Sequence, residues 1–516
     1  MGLPYNYNLG LRFYDIAARF GDKTAFRYPD NTSYTYGEVD RLSNQIARYL
    51  LQQGVRRGDS VAILNDKSIQ AYSLMLACLK TGIIYTNLDT TSPLPRLVKI
   101  ITTASPAMIF HDAVEDALIA EVGAAFSNTT VQFLQSETFS TIVAAMGDGA
   151  LPETAQVHGG EPAYIMFTSG STGFPKGAVM SHNNVLNFIK WGQTTFDVTP
   201  EDTFTNVNPI YFDNSVFDIY TSLFSGATLV PLKSEYLKNA RALVQAINES
   251  GCTIWFSVPS LLVYLLTTKS LSKTDFPAIR RISFGGEGFP KNKLKQLYDL
   301  FGDRITLFNV YGPTECTCIC SSYIITQDDF GNMSELAPLG FMAPNFGYEI
   351  LALDDKDASL GELALTGPCV GLGYYNDPER TEKSFVQNPG KLYSQRMYKT
   401  GDIVQRAENG YLHFRGRVDN QIKHMGYRIE MEEIEAAFSS LDYINEVGVI
   451  YEKVSVDLGQ IKAYVSLNGN APEQNGISTD IKNLLPPYMV PKSIKVLEVL
   501  PKNANGKIDR KQLSEL

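Results

Sequence analysis

Fourteen residues, Tyr164 to Gly177 (YIMFTSGSTGFPKG), constrain this chain more than any other stretch. The apolar run Tyr164 to Phe167 predicts a buried strand, which opens into a loop dense in Thr, Ser, Gly and Pro with one cation, Lys176. Glycines let a backbone approach a bulky ligand, and successive N–H groups with hydroxyls form a nest for phosphate oxygens. An ordinary polar turn seldom gathers so many donors together with a lysine. The pattern G-x-x-x-x-G-K-[ST] does not fit, because after Gly170 the lysine falls beyond a proline and is followed by Gly177. The stretch reads as a phosphate loop of a different kind.

At 516 residues the chain can bury several cores, and two to four domains are expected. Apolar residues make up 44% and charged ones 19%, a globular composition. The net charge of −10 argues against a nucleic-acid partner or an anionic-membrane surface, though not against one nucleotide in a local nest. The N-terminus lacks the basic and apolar regions of a signal peptide, and Asn6 stands where a myristoylation site wants Ser or Thr. The longest nearly apolar run, Ile254 to Leu266, is too short to span a bilayer and contains a proline. Six cysteines are too few for a disulfide scaffold. Cys316, Cys318 and Cys320 alternate as on one face of a strand, without zinc-knuckle spacing, so packing is the better reading. A cytoplasmic protein with no membrane partner is expected.

Helix-like and strand-like stretches alternate through the first two-thirds of the chain. Helices are predicted at Tyr36 to Gln53, Ile69 to Lys80, Asn183 to Trp191 and Ala240 to Ser250. Strands are predicted at Ser60 to Asn65, Ala107 to His111, Thr228 to Pro231, Thr253 to Val258 and Arg281 to Phe284. Such β/α alternation predicts α/β architecture, a mostly parallel sheet covered by helices. A second punctuated stretch, NVYGPTECT (Asn309 to Thr317), ends a strand in a Gly-Pro turn carrying an aromatic, a hydroxyl and a carboxylate, and Glu315 there suits a metal or phosphate role. From about Gly340 short Gly-rich strands suggest an antiparallel β module. Near Arg417 the texture breaks into the charged run RGRVDNQIKHMGYRIEMEEIE, with a helix expected over Arg428 to Phe438. The division expected is a large domain over 1–417 and a small α+β domain over 418–516.

Together these stretches resemble the adenylate-forming superfamily of acyl-CoA synthetases, luciferases and peptide-synthetase adenylation domains. The resemblance covers nearly the whole chain and rests on TSGSTGFPKG (168–177), NVYGPTE (309–315), YKTGD (398–402), FRGRVDNQIKHMGYRIE (414–430) and NGKIDR (505–510), in family order. It implies a two-step ligase in which a carboxylate attacks the α-phosphorus of ATP and a thiol then displaces AMP. Since the substrate is the nucleophile, catalysis reduces to alignment and stabilisation of spread negative charge.

The resemblance implies a role for each matched residue. Thr168, Ser169, Thr172 and Lys176 would hold pyrophosphate; Asn309, Tyr311 and Gly312 would hold adenine and AMP. Thr314 would contact the α-phosphate, Glu315 would bind Mg²⁺, and Asp402 with Arg417 would take the ribose. Lys507 would bridge carboxylate and α-phosphate as the catalytic lysine. Asp419 falls at the family's hinge, making the small domain mobile, and Gly426 would line the thiol's tunnel. FDNSVFDIY (212–220) is similar to the segment in which the amino-acid-activating branch sets an aspartate, here Asp213, against the α-ammonium. A helix cap is the open alternative for Asp213. A pocket of Asp213, Asn214, Phe217, Phe256, Ser283, Gly285, Val310, Cys318 and Ile319 follows from the same match; with no second charge, it favours a neutral side chain of small to medium size. The implied cofactors are ATP and Mg²⁺, and the implied partners are an amino acid and a phosphopantetheinylated carrier protein, in nonribosomal peptide biosynthesis. KHMGYRIE departs from the commonest peptide-synthetase form and looks similar to D-alanine–carrier ligases, which stay open as an alternative, as does a carboxylic-acid:CoA ligase.

Overall fold

The computed structural model describes residues 5–112, 116–170, 173–353, 357–453, 459–468, 474–503 and 508–516. Thr172 and Lys507 lie outside the described residues. The alternation read from the sequence builds two layered sheets. One has the spatial order Phe341–Met342, Ser321–Ile324, Thr306–Tyr311, Arg281–Gly285, Ile254–Ser257, Thr203–Asn206, Thr228–Pro231, Thr24–Arg27, Ser33–Thr35. Its middle is parallel and its two ends antiparallel. The other runs Gly373–Tyr374, Lys176–Ser181, Pro162–Thr168, Ile84–Leu88, Ser60–Leu64, Met108–His111, Thr130–Phe133. It is parallel from Pro162–Thr168 onward.

Local sequence explains the helix boundaries. Thr35 and Glu38 form a reciprocal capping box that starts helix Tyr36–Gln52, and Gly82 ends helix Ile69–Thr81 in the left-handed region at φ +70°. The latter helix is buried along almost its whole length, at the centre of the large apolar core. An antiparallel module, with Gly347–Ala352, Leu360–Thr366, Arg396–Arg406 and Leu412–Arg417 as its longer strands, follows from about residue 340 as expected. After Arg417 come a hairpin (Gln421–His424 with Tyr427–Glu430), helix Met431–Ser439 and a sheet of Ile444–Lys453, Gly459–Leu467 and Ser493–Val496. This part has its own apolar core, in which Ile429, Ile434, Phe438, Ala463, Ile477 and Ile481 are fully buried.

Three expectations are corrected. The phosphate loop joins an antiparallel hairpin, because the unforeseen strand Lys176–Ser181 folds back on Pro162–Thr168 with Thr168 opposite Lys176. Arg428 to Glu430 extend the hairpin strand, and the helix begins only at Met431. Cys316, Cys318 and Cys320 are buried in an irregular turn with Thr317 at φ +78°, so they do not share a strand face. Packing accounts for them: all three are buried, and that burial pushes their thiols well up.

Candidate functional site

The carboxyl ends of parallel strands in an open α/β sheet leave a crevice where ligands bind. Here that crevice is a cavity of about 400 Å³, lined by Thr168, Ser169, Phe256, Gly285, Tyr311 and Thr314 from strand ends and loops. Tyr427, Arg428 and Tyr488 close it from the small domain, which thereby forms one wall of the site.

The loop expected to hold phosphate and the small domain meet directly. Thr168 Oγ1 is buried with no hydrogen-bond partner. Ser169 Oγ donates to the Arg428 carbonyl (2.8 Å) and accepts from the Glu430 N–H, while the Gly170 N–H donates to Glu433 (3.2 Å). Lys176 lies 3.5 Å from Glu430 and 3.7 Å from Glu315. Glu315 is completely buried and accepts from Tyr374 Oη (2.8 Å) and from Arg428 Nη1 (2.7 Å). Burial alone would raise its pKa, but Arg428 and Lys176 outweigh that and hold the carboxylate far below its ordinary range. An ionised hard oxygen donor beside a phosphate loop fits Mg²⁺, which typically takes one or two carboxylates plus phosphate oxygens. Glu315 would hold the ion, with Arg428 displaced from Oε2.

Among the residues expected at the nucleoside, Tyr311 Oη donates to Asp402 Oδ2 (2.6 Å), and Arg417 joins the other Asp402 oxygen to Asp419 through a bidentate pair (2.6 and 2.7 Å). The expected ribose group and the expected hinge are thus wired together through one guanidinium. Lys423 sits 5.5 Å from the Tyr311 ring centroid. Asn309 instead turns its amide to the Pro338 carbonyl (2.7 Å) and is absent from the cavity wall.

Asp213 Oδ2 accepts from Thr314 Oγ1 (2.6 Å), so the two residues expected at the ammonium and at the α-phosphate touch. Asp213 precedes a short helical segment but its side chain caps nothing, which removes the cap alternative. Burial pushes its carboxyl up to about 6, against the Thr314 hydrogen bond. Asn214, Phe256, Gly285, Val310, Cys318 and Ile319 line the cavity with it. Phe217 and Ser283 do not: Phe217 is fully buried with its ring edge-on to Phe256, and Ser283 Oγ is buried without a partner. Gly285 is glycine for packing as much as for volume, since a Cβ there would meet the Val310 carbonyl oxygen at 2.3 Å.

Gly426 faces the cavity at φ +82°, where a Cβ would strike Val258 at 2.7 Å, and its N–H donates to Glu287. The described residues around Lys507 belong elsewhere: Ile508 packs with Leu500 and Leu513, and Arg510 pairs with Glu435. Among the described residues none beyond Tyr488 lines the cavity. Sequence reasoning missed Arg428, Glu430 and Glu433, although the run RIEMEEIE carried them as visible charges. It also missed the buried Lys67, which donates to the Asn206 and Leu232 carbonyls, and the buried Asp218, which accepts from Asn206 and Asn208.

Comparison with known proteins agrees with this geometry. The profile of the family described as AMP-binding enzyme matches residues 13–375, and that of the AMP-binding enzyme C-terminal domain matches residues 433–507. The chain is 32% identical to an L-proline–[L-prolyl-carrier protein] ligase of Streptomyces coelicolor, over 97% of this chain and 94% of that one. It is 33% identical to a D-alanine–D-alanyl carrier protein ligase of Bacillus licheniformis, over 93% and 94%. Among solved structures, an artificially fused adenylation–PCP di-domain from Klebsiella oxytoca superposes with a TM-score of 0.80 at 20% identity, over 96% of this chain and 94% of that one, a likeness of fold. The chain therefore belongs to the AMP-binding enzyme family of the adenylate-forming superfamily, and it is an adenylating ligase that uses ATP with Mg²⁺.

Proposed function

We propose that the protein activates a neutral amino acid as its aminoacyl adenylate and passes it to the phosphopantetheine thiol of a carrier protein. Asp213 carries this reading. It puts a carboxylate on the cavity that Asn214, Phe256, Gly285, Val310, Cys318 and Ile319 also line, and it touches Thr314. An α-ammonium leaving water for a buried site beside these apolar side chains needs a counter-charge there, or its desolvation is prohibitive. The names of the two relatives support the same substrate class and a carrier as acceptor. Lys507 would serve adenylation, and Gly426 would admit the thiol when the small domain sits as it does here.

ATP–pyrophosphate exchange with free amino acids, L and D forms included, tests the reading. Exchange is expected with at least one neutral amino acid and not with its des-amino analogue. Equal exchange with both, or Arg or Glu as the best substrate, overturns it. Thioester formation on a carrier and not on coenzyme A separates it from a carboxylic-acid:CoA ligase. A preference for D-alanine, in a free-standing enzyme, favours the D-alanine–carrier alternative over peptide biosynthesis.

A further inference from the structure

One carboxylate of the large domain holds the tip of the small domain's hairpin. That hairpin, Gln421–His424 with Tyr427–Glu430, turns through Met425 and Gly426 at φ +53° and +82°. Two left-handed residues between a paired His424 and Tyr427 make the tight turn that suits strand twist, and the N–H groups at its tip have no place in the ladder. The Gly426 N–H donates instead to Glu287 Oε2 (2.9 Å), 139 positions away in the chain. The other oxygen, Oε1, accepts from the Ser260 N–H (2.7 Å) in the first turn of helix Pro259–Thr267. Val258, the residue flanking that helix, offers no side-chain cap, so Glu287 supplies both an acceptor and a negative charge at the helix N-terminus. A Cβ at position 426 would meet Val258 at 2.7 Å, so only a glycine tip seats this closely on the helix start.

We infer that Glu287 is the latch that seats Gly426 on the cavity, and so is a positioning residue for the thioester step. The inference rests on the proposed function, in which Gly426 admits the thiol, and adds to it the large-domain group that holds Gly426 in place. Ser260 and Glu287 belong to the same domain, so their bond needs nothing from the small one and leaves the second oxygen aimed at the arriving tip. A hydrogen bond to an ionised acceptor is stronger than one between neutral groups, which makes this single contact weigh on where the tip rests. Glu287 is absent from the cavity wall, so it acts through Gly426 and not on the reacting atoms. A small domain turned to bring Lys507 to the site would carry Gly426 off Glu287. The latch therefore favours the second half-reaction and leaves the first alone.

Glu287→Gln is the matched variant, because an amide keeps one acceptor oxygen for Ser260 and puts a donor where the other oxygen stood. Thioester formation from a supplied aminoacyl adenylate should slow about tenfold in kcat, the scale of one charge-assisted hydrogen bond, while ATP–pyrophosphate exchange stays within about twofold. Glu335→Gln, a large-domain carboxylate paired with Arg415 and absent from the cavity wall, should change neither. Hydrogen exchange in the unliganded chain reads the latch without any chemistry. The Gly426 amide should exchange about tenfold more slowly than an open glycine amide, and should lose that protection in Glu287→Gln while helix Pro259–Thr267 keeps its own. An unprotected Gly426 amide in the native chain overturns the inference, and that measurement stands even if the variant misfolds. Equal losses in both half-reactions, or a thioester rate that Glu287→Gln leaves unchanged, overturn it as well. Failure of exchange with every amino acid, while Gly426 stays protected through Glu287, would strike the amino-acid reading and leave the latch standing.

Discussion

A carboxyl group that burial pushes up to about 6, in the proposed amino-acid site, makes a pH prediction with a definite sign. Asp213 is raised by burial above its ordinary value, so it is protonated, and useless to an ammonium, below about pH 6. In the free enzyme, kcat/KM for the amino acid should fall about tenfold per pH unit below that value and level off above it. Asp213→Ala should cost amino-acid adenylation about 3–5 kcal/mol, the range for breaking a buried ion pair, and should abolish this limb of the profile. A profile unchanged in Asp213→Ala would assign the titration to another group. Asp213 was legible in the sequence because FDNSVFDIY carries the family pattern. Its contact with Thr314 was not, since the two lie 101 positions apart and only strand order brings them together.

Elements here are fastened by buried polar groups as well as by apolar faces. Lys67, at φ +69° just ahead of helix Ile69–Thr81, crosses from one sheet to the other and donates to carbonyls at the ends of Thr203–Asn206 and Thr228–Pro231. Tyr72 adds a bond to Asn206 from the helix itself (2.6 Å), and Asn206 and Asn208 in turn hold Asp218. Lys67→Met keeps the stem's bulk but strips two buried carbonyls of their donor. A loss of about 1–3 kcal/mol is expected, the range for leaving a buried polar group unsatisfied, seen as a lower urea midpoint of the large domain. A change under 1 kcal/mol would mean that the network relaxes around the loss. The helix itself was readable from its apolar residues and its cap. The anchor was not, because a single lysine in a loop has no period to betray it.

At the scale of the molecule, the proposed function asks one small domain to serve two steps. Gly426 lies on the cavity, whereas the described residues flanking Lys507 pack away from it. If Lys507 serves adenylation, two faces of one compact unit would have to use one site in turn, and Asp419, tied to Asp402 through Arg417, is where the proposed turn would fall. Lys507→Ala should lower adenylation about 10²–10³-fold, as for one preorganised stabilising group, and leave thioester formation from a supplied adenylate nearly intact. Asp419→Pro, which fixes φ at the bend, should spare exchange and abolish transfer if it holds the domain in the adenylation placement. Single-turnover assays of each half-reaction decide this, and equal losses in both variants would refute a single hinge.

Sequence alone determined the α/β class, most of the elements and the donor-rich composition of the loop, because period, punctuation and residue type are local properties that short windows carry. It also supplied the whole charged run from Arg417 to Glu435 without saying what those charges face. Strand order decided that the loop closes a hairpin, that Glu315 meets Lys176, and that Phe217 stands behind Phe256 instead of on the cavity wall. Docking of the small domain decided that Arg428 rests on Glu315 and Glu433 on Gly170, across 113 and 263 positions of chain. Partners so distant are chosen by the packing of separate cores, a property of the folded whole that no window of the sequence contains.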